Sequence, residues 1–391
     1  MKKKYLLFAS LLFSICILAQ TNTEVYLFDF HPEYGLSNPV NVSKNPGAYD
    51  NQPSFPDNET LVFSATRNGQ TDIKKLDLQT MEATWVTQTD GSEYSPLKVP
   101  GRNALSSIRL ETDGKQQLFL YDLDFKTSEV LVSDFVVGYH TWYSPGILVS
   151  FVLGEESSLV VSDLVKNTNL VYQKNIGRSL HRIPDSELIS YISKQNDTWE
   201  IRSLHPITGD MKLITQVHEN TEDICWTPNG IILMAHGTQL YEYDTKRSKS
   251  WNYGQNLAEF GLGGITRMAI SPDGRKMAIV ITEQPPEAIV QQQLDAYNNR
   301  DIFAFLDTFS DDIALYKFPN TLISRGKIAL RKQYESFFQN TPDLHCEIKN
   351  RIIQGNKVID QEYVRINGQY LNAIAIYEIE KGKINKVTFI Q

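Results

Sequence analysis

One hydrophobic pattern repeats over the first two thirds of the chain. A strand-like string ending in Asp recurs as Val25-Tyr-Leu-Phe-Asp29, Ile73-Lys-Lys-Leu-Asp77, Leu118-Phe-Leu-Tyr-Asp122, Leu159-Val-Val-Ser-Asp163 and Leu240-Tyr-Glu-Tyr-Asp244, with a degenerate copy at Trp199 to Leu204. With Ser203 taken as the equivalent of the aspartates, successive copies lie 48, 45, 41, 40 and 41 residues apart. That period fits a four-stranded blade rather than a helical repeat. Upstream of the copies, apolar strands end in turn residues: Phe55-Pro-Asp-Asn58, Trp226-Thr-Pro-Asn-Gly230 and Ile270-Ser-Pro-Asp-Gly274, with weaker versions at Ser144-Pro-Gly146 and Ile183-Pro-Asp185. Proline sets φ, and Asn or Gly accepts the conformations a tight hairpin needs. The two ends of the region are each half a unit. Residues 265–283 supply two strands, Arg267 to Ile270 and Lys276 to Thr282, and residues 24–43 supply the last two. Five whole units plus one assembled from both ends predict a six-bladed propeller whose closure hides the edge strands.

At Gln284-Pro285-Pro286 the pattern changes. Helical spacing over residues 287–299 (Ile289, Val290, Leu294, Tyr297) is followed by Asp301 as a cap for a helix over Ile302 to Thr308, and then by a strand at Ile313 to Phe318. A third helix after Gly326 is expected to present Ile328, Leu330, Tyr334, Phe337 and Phe338 on one apolar face. Strands follow at Asp343 to Ile353, Lys357 to Ile366, Tyr370 to Glu380 and Lys383 to Phe389. Helices first and a curved antiparallel sheet afterwards describe an α+β cone. The expected organisation is therefore multidomain: a leader over residues 1–20, an all-β six-bladed propeller over 21–284, and the C-terminal α+β cone over 285–391.

Composition narrows the compartment and the partners. Lys2, Lys3 and Lys4 precede an apolar run from Leu6 to Leu18, a pattern that suits a secretory signal peptide and is too short to span a membrane. Cys16 is flanked by Ile15 and Ile17, which does not fit a lipid-anchor site. The chain carries 38 Lys+Arg against 46 Asp+Glu. Removal of the leader, with its three Lys, leaves 35 against 46, a net charge of −11. Such an acidic protein is not expected to bind nucleic acid. An exported, periplasmic or secreted location follows. Cys225 and Cys346 fall in different domains and are expected to be buried thiols. No CxxC or HExxH spacing occurs, so no metal site and no cofactor is expected.

The Phe-Pro-Asp-Asn and Ser-Pro-Asp-Gly turns, with strings such as Leu61-Val-Phe-Ser-Ala-Thr-Arg-Asn-Gly69, resemble the blades of TolB-like (WD40-like) propellers. The resemblance implies shape more than activity. By register, Gln52, His140, Asp223 and Arg267 should lie at the central channel mouth, with His181 and Arg182 near it. Such a ring either binds a ligand or the loop of an envelope partner, or consists of polar groups that satisfy one another.

In the C-terminal segment, Tyr297-Asn-Asn-Arg-Asp-Ile302, Phe309-Ser-Asp-Asp312, Phe318-Pro319, Ser324-Arg-Gly-Lys327 and Gly382-Lys-Ile384 resemble the SnoaL-like (nuclear transport factor two-like) family, which includes ketosteroid isomerases. The resemblance implies a cone around an apolar pocket and homodimers through the outer sheet face. It also allows the isomerase roles to be tested by position. The base falls at Lys317, the oxyanion tyrosine at about Gln293, and the acid among Ala375, Ile376 and Tyr377, so all three positions are changed. Other polar candidates come from strand alternation. His345 and Glu347 share one face, as do Asp360 and Glu362 on the next strand. Turned inward, both pairs would form a buried cluster fit for acid/base work; turned outward, they are ordinary cross-strand pairs. Tyr316, Tyr334, Tyr363 and Tyr377 are candidate pocket or core residues. The leading expectation is an exported binding or scaffold protein whose cone holds a small apolar or amphipathic molecule and whose propeller meets a partner. The alternative is an isomerase or hydrolase acting on a small carbonyl compound, and a third reading makes the cone a dimeriser.

Overall fold

The computed structural model describes residues 22–282, 285–380 and 382–390. The expected leader lies outside these residues. The strands up to Thr282 form six four-stranded sheets. The innermost strand of each is Asp50–Ser54, Ser92–Lys98, Val137–Ser144, Ile176–Arg182, Ile224–Trp226 or Ile265–Ile270, and each touches the next until the last returns to the first. The closing blade takes two strands from each end of this region. Thr23–His31 pairs antiparallel with Lys276–Thr282 from Thr23↔Thr282 to Asp29↔Lys276, as the half-units at the two ends predict.

The repeated aspartate has a local cause. At Asp77, Asp122, Asp163 and Asp244 it ends the third strand of a blade, and its carboxylate accepts hydrogen bonds from the backbone N–H groups two and three residues on, whereas Asp29 takes the Asn38 and Lys276 side chains instead. Asp77 holds Gln79 and Thr80 at 2.9 Å each, Asp122 holds Asp124 and Phe125 at 3.0 Å each, and Asp244 holds Lys246 at 2.8 Å and Arg247 at 3.2 Å. These contacts satisfy the turn that leads to the outer strand. Apolar clusters such as Phe28, Leu233, Leu240 and Ile279 fill the spaces between blades.

From Pro286 onward the fold is α+β. Helix α1 (Pro286–Asn299) starts with proline at its first turn, where the missing N–H costs nothing. Helix α2 (Ile302–Asp307) is capped by Asp301, which accepts from Phe303 N and Ala304 N at 3.0 Å each. Helix α3 spans Lys327–Asn340. The six-stranded sheet runs in the order Thr321–Arg325, Phe309–Lys317, Lys383–Ile390, Gln369–Glu380, Lys357–Ile366, His345–Gln354. Every pair is antiparallel except Phe309–Lys317 with Lys383–Ile390. The helices pack on one face around Val290, Phe305, Leu315, Leu330, Phe338, Val358, Ala375 and Val387.

Two expectations for this region need correction. Ile328 is 89% exposed, whereas Leu330 and Phe338 are buried. It lies two residues before Leu330, about 200° away around the helix axis, and so faces solvent. The strand Thr321–Arg325 was not expected. The Phe318-Pro319 break reads as the end of a strand, but it is the corner of a hairpin that brings Thr321 back opposite Lys317. Among the described residues no helix is long and apolar enough to cross a membrane.

Candidate functional site

A cavity of ≈ 60 Å³ lies between α1, α3 and the sheet of the C-terminal domain. Its apolar walls include Leu294, Phe305, Leu315, Val387 and Phe389, and its polar atoms come from Gln293, Tyr297, Tyr334, Cys346, Glu362 and Tyr377. At α1, the spacing of Ile289, Val290, Gln293 and Ala296 turns one face inward and places Gln293 among apolar neighbours. The end of this helix is stitched to the sheet. Asn298 Nδ2 donates to Cys346 O at 3.0 Å, and Cys346 N donates to Asn298 Oδ1 at 2.7 Å, which fixes the Cys346 side chain inward.

The strand register decides which candidates reach this cavity. Cys346 pairs with Val364 and Ile348 with Glu362, so the even-numbered residues of both strands share the inner face. Glu362 is therefore buried, 8% exposed, and Asp360 still more so at 1%. His345 and Glu347 point outward and are exposed, with Glu347 paired to Lys349 at 2.7 Å. The two polar pairs thus separate instead of forming one cluster.

A bulge at Lys349 then changes the parity of its strand, so that Asn350 pairs with Gln361 and Arg351 with Asp360. Arg351 meets Asp360 through two bonds of 2.7 Å, and its other nitrogen reaches Gln291 Oε1 at 3.0 Å. Asp360 is thereby neutralised behind the cavity wall rather than presented to it. Tyr316 and Tyr363 also lie on the outer side: Tyr316 OH accepts from Arg325 at 3.3 Å, and Tyr363 stacks on Tyr370 at 4.8 Å. Tyr334 and Tyr377 do line the cavity. Of the positions that match the isomerase residues, Gln293 and Tyr377 reach it, while Lys317 is exposed.

The centre of the cavity is one hydrogen bond. Tyr377 OH donates to Glu362 Oε1 at 2.8 Å, in a buried setting. Burial pushes the Glu362 carboxyl up to about 7; the Tyr377 bond pulls it down, the Asp360 charge adds to the rise, and Arg351 opposes it. Burial also raises the Tyr377, Tyr334, Tyr297 and Cys346 groups above their ordinary values, so these remain protonated donors at neutral pH. Among the lining residues, Glu362 is the group placed to exchange a proton near neutrality. Sequence reasoning missed Tyr297 and Cys346 as lining residues and missed Arg351 altogether. The inward turn of Cys346 follows from the Asn298 clamp, which has no signature in the pattern of apolar positions.

The propeller channel mouth is a second concavity, of ≈ 110 Å³. It brings together Gln52, His140, His181, Asp223 and Arg267, along with Tyr139 and Arg178, which the sequence reading did not single out. Asp223 takes Arg178 Nη2 at 2.7 Å and also pairs with Arg267, whose other nitrogen donates to Tyr139 OH at 3.0 Å. Gln52 Oε1 accepts from Ser64 Oγ at 3.0 Å. His140 Nε2 meets Ser106 Oγ at 2.7 Å, and burial pushes its imidazole down to about 3, so it is neutral. Arg182 lies apart, donating to the Tyr143 carbonyl at 2.7 Å. Within the ring, Asp223, Arg178, Arg267 and Tyr139 satisfy one another, Gln52 and His140 are held by Ser64 and Ser106, and the buried His140 Nδ1 has no partner.

Comparison with known proteins matches both halves of this architecture. The SnoaL-like domain family matches residues 290–387. Among solved structures, a putative TolB from Agrobacterium tumefaciens is similar over 68% of this chain and 99% of its own, with a TM-score of 0.51 and 13% identity. An NTF2-like protein of unknown function from Cytophaga hutchinsonii covers 28% of this chain and 92% of its own, with a TM-score of 0.25 and 17% identity. A putative ketosteroid isomerase from Kribbella flavida covers 27% and 76%, with a TM-score of 0.24 and 17% identity. No curated protein sequence matches the chain. The chain thus has the fold of a six-bladed propeller, similar in shape to the TolB structure, followed by a C-terminal domain that matches the SnoaL-like domain family over residues 290–387.

Proposed function

We propose that the mature protein is an exported binding protein. In this reading its SnoaL-like domain holds a small, mainly apolar molecule with one hydrogen-bonding group, and its propeller offers a surface to an envelope partner. The observation that carries the reading is the Glu362–Tyr377 pair set into otherwise apolar cavity walls. A few convergent polar groups in an apolar hollow are what fix the orientation of a small ligand. The volume of ≈ 60 Å³ admits roughly four to six water-sized groups, far less than a steroid needs. The outer sheet face exposes Ile352, Ile374 and Tyr370, which supports pairing with a second copy through that face.

The test is native mass spectrometry of the mature chain after exposure to a metabolite extract, with Glu362→Leu as the control. A stoichiometric adduct that the control loses supports the reading, and identical spectra for the two proteins refute it. Sedimentation of the same sample reports the dimer, and cell fractionation reports the compartment.

One observation favours a second reading, acid/base catalysis on a small carbonyl compound. Glu362 titrates near neutral pH inside the cavity, where a general acid or base is most effective. Exchange of the α-protons of acetone or cyclopentanone in heavy water, abolished by Glu362→Gln, would establish it. No exchange above the solvent rate leaves the binding reading alone.

A further inference from the structure

The widest of the three cavities described for this chain belongs to neither site above. It is a cleft of ≈ 260 Å³ between the fifth blade and the closing blade, under the Thr227–Asn229 and Asp273–Gly274 turns. Phe30, Pro32, Pro228, Ile231 and Leu233 give it apolar walls, and Glu242 is set into them.

A carboxylate is out of place here. Glu242 lies two residues before the aspartate that ends its strand, Asp244. In four of the five other units the residue at the same spacing is buried and aliphatic (Leu27, Leu120, Val161 and Ile201), and in the fifth it is Lys75, which is exposed. On the neighbouring strand its cross-strand partner is the buried Leu233. Four blades fill this point with an aliphatic side chain, and one here would continue the inter-blade core next to Leu233. Among the described residues, Glu242 makes no side-chain hydrogen bond or ion pair, and burial raises its pKa. The chain nevertheless makes room for it. The facing residue is Gly254, where an added Cβ would stand 3.2 Å from Glu242 Oε1. A half-buried carboxylate without a partner is costly unless something else supplies the counter-charge.

The surrounding charges specify the sign of that partner. At the rim, Arg275 stands 3.9 Å from Asp273 with its side chain 83% exposed, and the two offset each other. His31 is the remaining titratable group; its Nδ1 accepts from Glu33 N at 3.1 Å and its ring stacks on Tyr34. The charge left over inside the cleft is that of Glu242.

We propose that this cleft is a binding site for a small organic cation, a protonated amine or guanidinium carried on an apolar body, with the cationic head on Glu242 and the body against Phe30, Ile231 and Leu233. The site is independent of the one in the SnoaL-like domain, and its test does not depend on that reading.

The test is isothermal titration of the full mature chain with three probes of one shape: 2-phenylethylamine, the neutral 2-phenylethanol and the anionic 3-phenylpropionate. The amine should bind one to one, at least about tenfold more tightly than the alcohol, and the acid should bind more weakly than both. Glu242→Gln should lower amine affinity by about tenfold and leave the alcohol unchanged. Glu242→Leu, which supplies the aliphatic residue that four other blades carry, should remove the preference for the amine while keeping or raising the melting temperature. This second variant separates loss of binding from loss of fold. Equal affinity for all three probes, no amine binding, or an amine affinity that ignores Glu242→Gln overturns the proposal.

Discussion

Replacement of Glu362 by glutamine isolates the central feature of the C-terminal cavity. The side chains are nearly the same size, so the change removes the titration and keeps the shape. Burial lifts the wild-type carboxyl from an ordinary 4.5 to about 7. In the folded state the proton is therefore held through a range in which the unfolded chain has released it. Below about pH 4.5 both states are protonated and the group costs the fold nothing. Between there and about pH 7 the folded state binds more protons than the unfolded one, so stability falls as pH rises; above that range both states are ionised and the slope disappears. At about 1.4 kcal/mol per pKa unit, the full effect is on the order of 3 kcal/mol. Glu362→Gln lacks this term, so its advantage over wild type should grow by that amount across the range and then level off.

The two domains can be followed separately in urea. All five tryptophans (85, 142, 199, 226 and 251) lie before residue 285, so their fluorescence reports the propeller. Among the described residues, α1, α2 and α3 are the α-helices, so the helical band of circular dichroism reports the C-terminal domain. The tryptophan transition should be the same in both proteins at every pH. A wild-type-minus-variant curve that stays flat within about 0.5 kcal/mol would refute the assignment of a raised, buried carboxyl.

Three further outcomes follow from the same geometry. Tyr377→Phe removes the donor that favours the ionised carboxylate, so the Glu362 titration, followed by carbon-13 resonance of the carboxyl, should move above about 7. Arg351→Met leaves Asp360 buried at 1% exposure without its bidentate partner and should cost about 3–5 kcal/mol in urea unfolding of the C-terminal domain; adding Asp360→Leu should recover most of it. His345→Ala and Glu347→Ala, both on the exposed face, should change stability by less than about 0.5 kcal/mol and leave the Glu362 titration where it is.

What the sequence revealed, and what it hid, follows from how local each cause is. The blade period is legible because four of the five aspartates cap their own turns through backbone groups two and three residues away. Ring closure is legible because the half-units at the two ends complete one blade. The cap at Asp301 and the proline at the start of α1 are equally local. The cavity was harder to read because its residues depend on pairing register. His345, Glu347, Asp360 and Glu362 alternate in the same way whether a strand faces in or out; the pairing of Cys346 with Val364 puts the two polar pairs on opposite faces, and the packing of the helices makes the Cys346 face the inner one. The bulge at Lys349 leaves no mark in composition, yet it alone sets Arg351 opposite Asp360. In the cleft the contrary holds: the misfit of Glu242 is visible once the repeats are aligned on their aspartates, but its meaning requires the space opened by Gly254.

The central claim is that Glu362 and Tyr377 form the docking point of a small-molecule site. Its most direct measurement is a carbon-13 titration of the chain from residue 21 onward, labelled at glutamate carboxyl and tyrosine ring carbons, with acetone, cyclopentanone and a steroid ketone as probes. The account predicts saturable shifts at Glu362 and Tyr377 for the probes small enough for a cavity of ≈ 60 Å³, lost in Glu362→Leu, with no shift from the steroid. Unmoved Glu362 and Tyr377 resonances with every probe, or shifts that persist in Glu362→Leu, would contradict it.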